Sequence, residues 1–291
     1  MTLDPASPSA VVACFREGAE ANLQAACRAG SIDVVHAPGR LVASGDLHDN
    51  PLHFQALCEV AALEGGDDLT LHEVIHSDRL VHGVDFSHRA LLRVADLKRR
   101  HPEGVHALLA NHELSQIVGA GIVKDGVRVV EAFNDGVEYV FGDESPRVLE
   151  AIEAFIRSMP LALRAEGDGV IWCSHTLPEA RLMDRFDPTI FDRVPTDEDY
   201  VPRQGSAHLM VWGRQHGEEH LRALASAWGV DLFILGHEKA EQGARALPPN
   251  AMILNSDHAS GACAVLDLAL RPTLEEAMMR VRPLGRGFDH G

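Results

Sequence analysis

The sequence predicts an α/β protein of layered sheet and helix, on three observations. Short apolar runs of strand type alternate with segments of helical period. Five of those runs end in Asp, His, Asn or Glu. The composition is that of a globular chain, 46% apolar and 24% charged over 291 residues, a length that fits one α/β domain with an extension. The 43 acids against 26 bases give a net charge of −17, which repels phosphate backbones and anionic lipid, so nucleic-acid polymers and membrane surfaces are excluded as expected partners. Cys14, Cys27, Cys58, Cys173 and Cys263 are scattered without CxxC spacing and read as reduced thiols. The first residues carry acids where a leader needs bases, and no run approaches about 20 apolar residues, so the expected location is cytoplasmic.

In chain order, Ser7 caps a helix reaching Arg28, with Pro8 at its first position and Val11, Val12, Phe15, Ala19, Leu23 and Cys27 at helical spacing. Residues 1–39 read as an N-terminal helical extension, 40–270 as the main domain and 271–291 as a tail. Strand-type runs lie at 32–35, 40–45, 69–75, 105–110, 127–132, 137–141, 170–174, 231–235 and 251–255, and helical patterns at 51–63, 87–100, 145–158 and 216–228. The runs at 127–132 and 137–141, joined by Phe133-Asn134-Asp135-Gly136, predict a hairpin turned by Asp-Gly, a flap inserted at about 120–145. Residues 178–204, rich in Pro and Asp, predict a long loop, either functional or simply solvated.

The chemistry gathers at strand ends. The run 41–45 leads into Asp46 and His48, whose spacing puts both side chains on one face of an extended chain. The run at 69–71 leads into His72, Glu73, His76 and Asp78; the run at 105–110 into Asn111, His112 and Glu113; the run at 170–174 into His175; and the run at 232–236 into His237 and Glu238. A parallel or mixed sheet aligns such ends into one cluster. Carboxylate and amide oxygens with several imidazoles and no thiolate suit manganese, iron or zinc in a two-metal site.

The order Gly45-Asp46-Leu47-His48, then Asn111-His112-Glu113, then Ser174-His175, then Gly236-His237 resembles the calcineurin-like metallophosphoesterases. Within that family it is most similar to the serine/threonine phosphoprotein phosphatase branch. Pro160-Leu161-Ala162-Leu163 resembles that branch's LPLAA segment, Leu209-Met210-Val211-Trp212 its LLWSDP stretch, and residues 255–262 stand where it carries SAPNYC. The resemblance covers roughly residues 40–268. It implies two packed mixed β-sheets flanked by helices, two metal ions, and hydrolysis of a phosphorylated protein or small phosphoester by a metal-activated hydroxide.

Position by position, the resemblance implies that Asp46 and His48 hold the first metal, that Asn111, His175 and His237 hold the second, and that Glu73 bridges them in place of the family's Asp. His112 becomes the acid that protonates the leaving oxygen. His76 falls on a second Asp of the motif, the residue expected to orient His112, and Asp78 and Asp85 are the alternatives for that task. Ser77 replaces a phosphate-clamping Arg, so Arg79, Arg203 or Arg214 must serve, Arg214 first; His258 matches a pocket tyrosine. His72, His76, His82, His88 and His106 read mostly as solvent-facing or as supports of the ligands. Two other readings stay open: hydrolysis of dinucleoside polyphosphates or nucleotides, and a non-catalytic phosphate-binding scaffold.

Overall fold

The structure, a computed structural model, describes residues 3–119, 123, 124 and 126–285. The chain begins with α1 (Pro8–Gln24), β1 (Arg28–Ala29), β2 (Ile32–His36), β3 (Arg40–Asp46), α2 (Pro51–Val60), β4 (Asp68–His72), α3 (His88–Arg100) and β5 (Val105–Leu108). It continues through α4 (Asn111–Val118), β6 (Val123–Lys124), β7 (Val127–Arg128), α5 (Val129–Phe141), α6 (Ser145–Ser158), β8 (Ala162–Glu166) and β9 (Val170–Ser174). It ends with α7 (Ser206–Trp212), α8 (Glu218–Trp228), β10 (Leu232–Leu235), β11 (Ala244–Leu247), β12 (Ala251–Leu254), β13 (Ala262–Asp267), α9 (Leu274–Met279) and β14 (Val281–Pro283). None of the described helices is long and apolar enough to cross a membrane.

Two mixed sheets pack face to face. One runs β1-β2-β8-β9-β10-β12-β11, the other β14-β13-β3-β4-β5. Alternation along each strand divides the core in two. Leu41, Ala43, Ile171, Cys173, Leu232, Ile234, Met252, Leu254, Ala264 and Leu266 fill the space between the sheets. The intervening Val42, Trp172, Phe233, Ile253 and Val265 point outward into the larger core under the helices. Burial on both faces explains why these strands read as continuous apolar runs.

Helix α1 packs on α3 and α6, with Phe15 against Phe155 at 5.8 Å between ring centroids. Residues 28–36 carry β1 and β2, and β2 pairs in parallel with β8, so the segment before residue 40 supplies a strand to the first sheet. At the other end, β14 pairs with β13. The long segment after β9 is pinned rather than loose: Phe191 sits on Trp172 at 5.0 Å, Tyr200 is buried, and Arg193 forks onto Asp199 at 2.6 and 2.8 Å.

The expected hairpin at 127–141 is a correction. Residues 129–141 form α5, and Val129, Ala132, Phe133, Gly136, Val137 and Phe141 are its buried positions. That three-and-four spacing is a helical stripe, and burying it outweighs the local turn preference of Asp135-Gly136. Only the two-residue strands β6 and β7 precede the helix as a ladder. Residues 120–122 and 125 of the expected flap, and 286–291 of the expected tail, lie outside the described residues.

A buried ionic network ties the sheets together away from the strand ends. His106 on β5 bonds Asp33 of β2 through Nδ1 at 2.8 Å and Asp68 of β4 through Nε2 at 3.1 Å, while Arg28 meets Asp33 at 2.9 Å. Burial alone would push the imidazole down, but the bonds to Asp33, Asp68 and Cys27 carry it up to about 10. A raised pKa means stability complete below the free-imidazole value of about 6.5 and lost as pH climbs through the folded value. Between pH 7 and 10 the wild type should therefore lose stability that His106→Gln lacks throughout. The variant should be destabilised by about 3–5 kcal/mol at pH 7, with a gap that narrows toward pH 10 in urea titrations.

Candidate metal centre

In the second sheet β3, β4 and β5 run parallel, and in the first β9, β10 and β12 do. Their carboxyl ends face one edge of the sandwich, the place where ligands bind in open α/β sheets. The two sheets meet there through a parallel bridge between Asp46 and Asn255. Ser256 completes the seam: its N–H donates to the Asp46 carbonyl at 2.9 Å and its Oγ accepts from the Gly45 N–H at 2.9 Å. A Cβ on Gly45 would overlap the Leu254 carbonyl, so this approach requires glycine.

Glu73 lies at the centre. Its Oε1 is 3.0 Å from His48 Nε2 and 3.4 Å from His112 Nε2; its Oε2 is 2.8 Å from His175 Nε2. On the Oε2 side, Asn111 Oδ1 is 2.6 Å from His175 Nε2 and 3.1 Å from His237 Nδ1, and those two nitrogens are 3.0 Å apart. Burial alone would raise the Glu73 carboxyl, but the imidazoles of His175, His48 and His112 hold it well below the usual carboxylate range. Asp46 is pushed up to about 7 by burial and by the Glu73 charge.

The residues fit a metal. A carboxylate oxygen, an amide oxygen and two imidazole nitrogens turned toward one another are mutually favourable around a cation. Oε2 of Glu73 and Nε2 of His237 are buried without a hydrogen-bond partner. His48, Glu73 and His112 form one group of potential ligand atoms, Glu73, His175 and His237 a second, and Asp46, His72 and His175 a third. The structure thus brings Asp46, His48, Glu73, Asn111, His112 and His237 to one cavity edge, with His175 fully buried against Glu73 and Asn111. That cavity, of about 700 Å3, is also lined by Asp78, Arg214, Lys239 and His258.

The other candidates divide. Arg214 borders the cavity and donates to the His237 carbonyl at 3.0 Å; His258 borders it with Nε2 3.1 Å from the Ala240 carbonyl. Arg79 turns instead to the backbone carbonyls of His48 and Asp49, and Arg203 lines a neighbouring cleft. Asp85 serves Ser87, accepting from its N–H at 2.8 Å and its hydroxyl at 2.9 Å. His76 itself meets His112, Nδ1 to Nδ1 at 2.9 Å. Its proton is placed by the neighbours: the Gln116 amide nitrogen donates to Asn134 Oδ1 at 2.7 Å, so Gln116 Oε1 faces His76 Nε2 at 3.0 Å and accepts from it. His76 Nδ1 is then the acceptor for His112 Nδ1–H.

Sequence reasoning passed over three residues. His72, set aside as a support, is 3% exposed and lies between Asp46 and His175. Lys239 adds a second cation to the cavity. Glu113, fully buried, accepts from the N–H groups of Val74 at 2.7 Å and Ile75 at 3.2 Å, the stretch between Glu73 and His76. The position of Glu113 straight after Asn111-His112 was the available signal.

That clamp matters because His48, Glu73, His76 and His237 all take left-handed backbone, with φ of 40°, 48°, 59° and 66°. Such residues cost on the order of 1–3 kcal/mol each and persist where surroundings over-determine them. The N–H groups of Leu47 and His48 donate to the Glu73 carbonyl at 3.0 and 2.8 Å, Ser87 Oγ accepts from His76 N–H at 3.0 Å, and Asp46 accepts from His237 N–H at 2.9 Å. Glu113→Ala leaves two buried donors unpaired and should cost about 2–4 kcal/mol in urea unfolding, whereas Glu113→Gln keeps the acceptor and should stay within about 1 kcal/mol of wild type. Equal losses in the two variants would show that the clamp does not hold the loop.

No family model and no curated protein matches the sequence. Solved structures do match. A protein serine/threonine phosphatase from Saccharomyces cerevisiae, with similarity to human phosphatase PP5, superposes with a TM-score of 0.66 at 15% identity, over 90% of this chain and 83% of that one. A cold-active protein-tyrosine phosphatase of a psychrophilic Shewanella species gives 0.57 at 13% identity, over 86% and 82%. Two packed sheets, strand ends gathered on one edge and superposition along nearly the whole chain give this protein the fold of these two phosphatase structures.

Proposed function

We propose that the protein is a metal-dependent phosphoesterase that hydrolyses phosphomonoesters, with phosphoserine or phosphothreonine in proteins as its substrate. The observation that carries this reading is Glu73, whose two carboxylate oxygens face two separate sets of ligand atoms, the arrangement a bridging ligand needs. Asp46, His48 and Glu73 would hold one ion, and Glu73, Asn111, His175 and His237 the other. Donors of this kind suit manganese, iron or zinc, and two such ions supply water activation and charge neutralisation at phosphorus.

The chain's own groups do the rest. Arg214 and Lys239 bring positive charge to a cavity otherwise rich in carboxylates, which favours a phosphate dianion at that end. His112 gives its Nε2 proton to the leaving oxygen while its Nδ1–H stays on His76, so ring orientation survives the transfer. His258 lines the same cavity. A second cleft of about 680 Å3 shares Trp212 with the cavity and carries Arg181, Arg185 and Arg203, which leaves room for the peptide flanking a phosphorylated residue.

Elemental mass spectrometry after loading with manganese, iron or zinc should find two metals per chain, and Glu73→Gln should lower occupancy of both positions. One metal in the wild type, or unchanged occupancy in the variant, would overturn the bridging role. His112→Ala should lower phosphopeptide turnover by about 10²–10⁴-fold with both metals retained. Turnover of a dinucleoside polyphosphate in preference to phosphopeptides would move the substrate class, and full metal loading without turnover would favour a binding scaffold.

A further inference from the structure

His72 closes β4, directly before Glu73, and its Cα is paired with that of Asp46. Its ring lies under the metal centre, in space kept open by Gly236, where a Cβ would overlap both His72 Cε1 and Asp46 Oδ1. Nε2 of His72 is 3.0 Å from the Ser44 carbonyl, and Nδ1 is 3.1 Å from His175 Nδ1. The carbonyl can only accept, so Nε2 carries the hydrogen. A neutral imidazole has one N–H, which leaves Nδ1 of His72 as an acceptor. Across the 3.1 Å contact His175 Nδ1 must then be the donor. Asp46 Oδ1 is 3.7 Å from both rings, too far to take that hydrogen.

We infer that His72 is a positioning residue: it accepts the Nδ1 hydrogen of His175 and thereby turns the Nε2 lone pair of His175 toward Asn111, His237 and Glu73. Metal-binding histidines commonly pass their second N–H to a carboxylate, a carbonyl or water. Here an imidazole takes it and relays the demand to the Ser44 carbonyl on the neighbouring strand, so β3 and β4 together fix the ring of a ligand on β9's end. His175 is 0% exposed, with Asn111 and His237 at its Nε2 side and the His72 ring at its Nδ1. The inference rests on the metal-binding reading above and deepens it.

Two measurements test it. In uniformly 15N-labelled full-length protein, with and without zinc, His72 should show a protonated Nε2 and a bare Nδ1, with a through-hydrogen-bond coupling between the Nδ1 atoms of His72 and His175. A protonated His72 Nδ1, or absence of the coupling in both samples, would overturn the pairing; because the metal-free sample also reads it, failure to bind zinc is a separate result that strikes the metal reading alone. Calorimetric zinc titration should then show affinity weakened about 10–100-fold in His72→Phe, which keeps a ring and removes the acceptor, and largely recovered in His72→Asn, which restores an acceptor at that height. Equal losses in the two variants, or none in either, would assign His72 to packing.

Discussion

Everything near the strand ends answers to the burial of one carboxylate. Glu73 is 4% exposed, and an ionised carboxylate taken out of water without partners costs several kcal/mol. Imidazoles stand beside both oxygens, His48 and His112 beside one and His175 beside the other. Each of those rings needs its own second partner, and the search for partners spreads outward: His112 to His76, His76 to Gln116, Gln116 to Asn134, His175 to His72, His72 to Ser44. A centre built on a carboxylate thus recruits a shell made mainly of neutral rings and amides, which satisfy hydrogen bonds without adding charge to a site already rich in it.

The same demand shapes the backbone. Bringing side chains from β3, β4 and β10 to one point requires the chain to turn sharply as each strand ends, and the left-handed φ values at His48, Glu73 and His237 are where it turns. Glycine would take those conformations without strain but has no ligand to offer. The cost is absorbed by backbone bonds among the turns themselves and by Glu113 beneath them, which belongs to the helix carrying Asn111 and His112. Asn111, His112 and Glu113 are therefore set by one helix. The ionic network around His106 does a parallel job on the far strands, joining β2, β4 and β5 across the two sheets.

Much of this was legible in the chain. Alternation of apolar runs and helical stripes determined the layered α/β class, and the polar residues closing those runs marked the edge where the site would form. Local order sufficed for Asp46, His48, Asn111, His112, His175 and His237 because each stands at the end of a run whose own pattern is unambiguous, and parallel strands leave such ends nowhere else to go. Local pattern misled where two local signals competed. At 129–141 the Asp135-Gly136 turn signal is strong in isolation, but a helix buries Phe133, Val137 and Phe141 together, and burial of a whole face is a quantity no dipeptide reports.

Only the tertiary structure decided what His76, His72 and Glu113 do. A histidine replacing a carboxylate in a motif reads as a loss when charge is the criterion; in space His76 still meets His112, Nδ1 to Nδ1 at 2.9 Å. His72 reads from sequence only as solvent-facing or as a support, because its partners Ser44 and His175 lie 28 and 103 positions away. The sequence by itself determined the class of fold and the residue types able to bind metal, since both follow from short-range pattern. Which nitrogen faces which atom was decided by the packing of two sheets, because hydrogen-bond roles are set by neighbours in space.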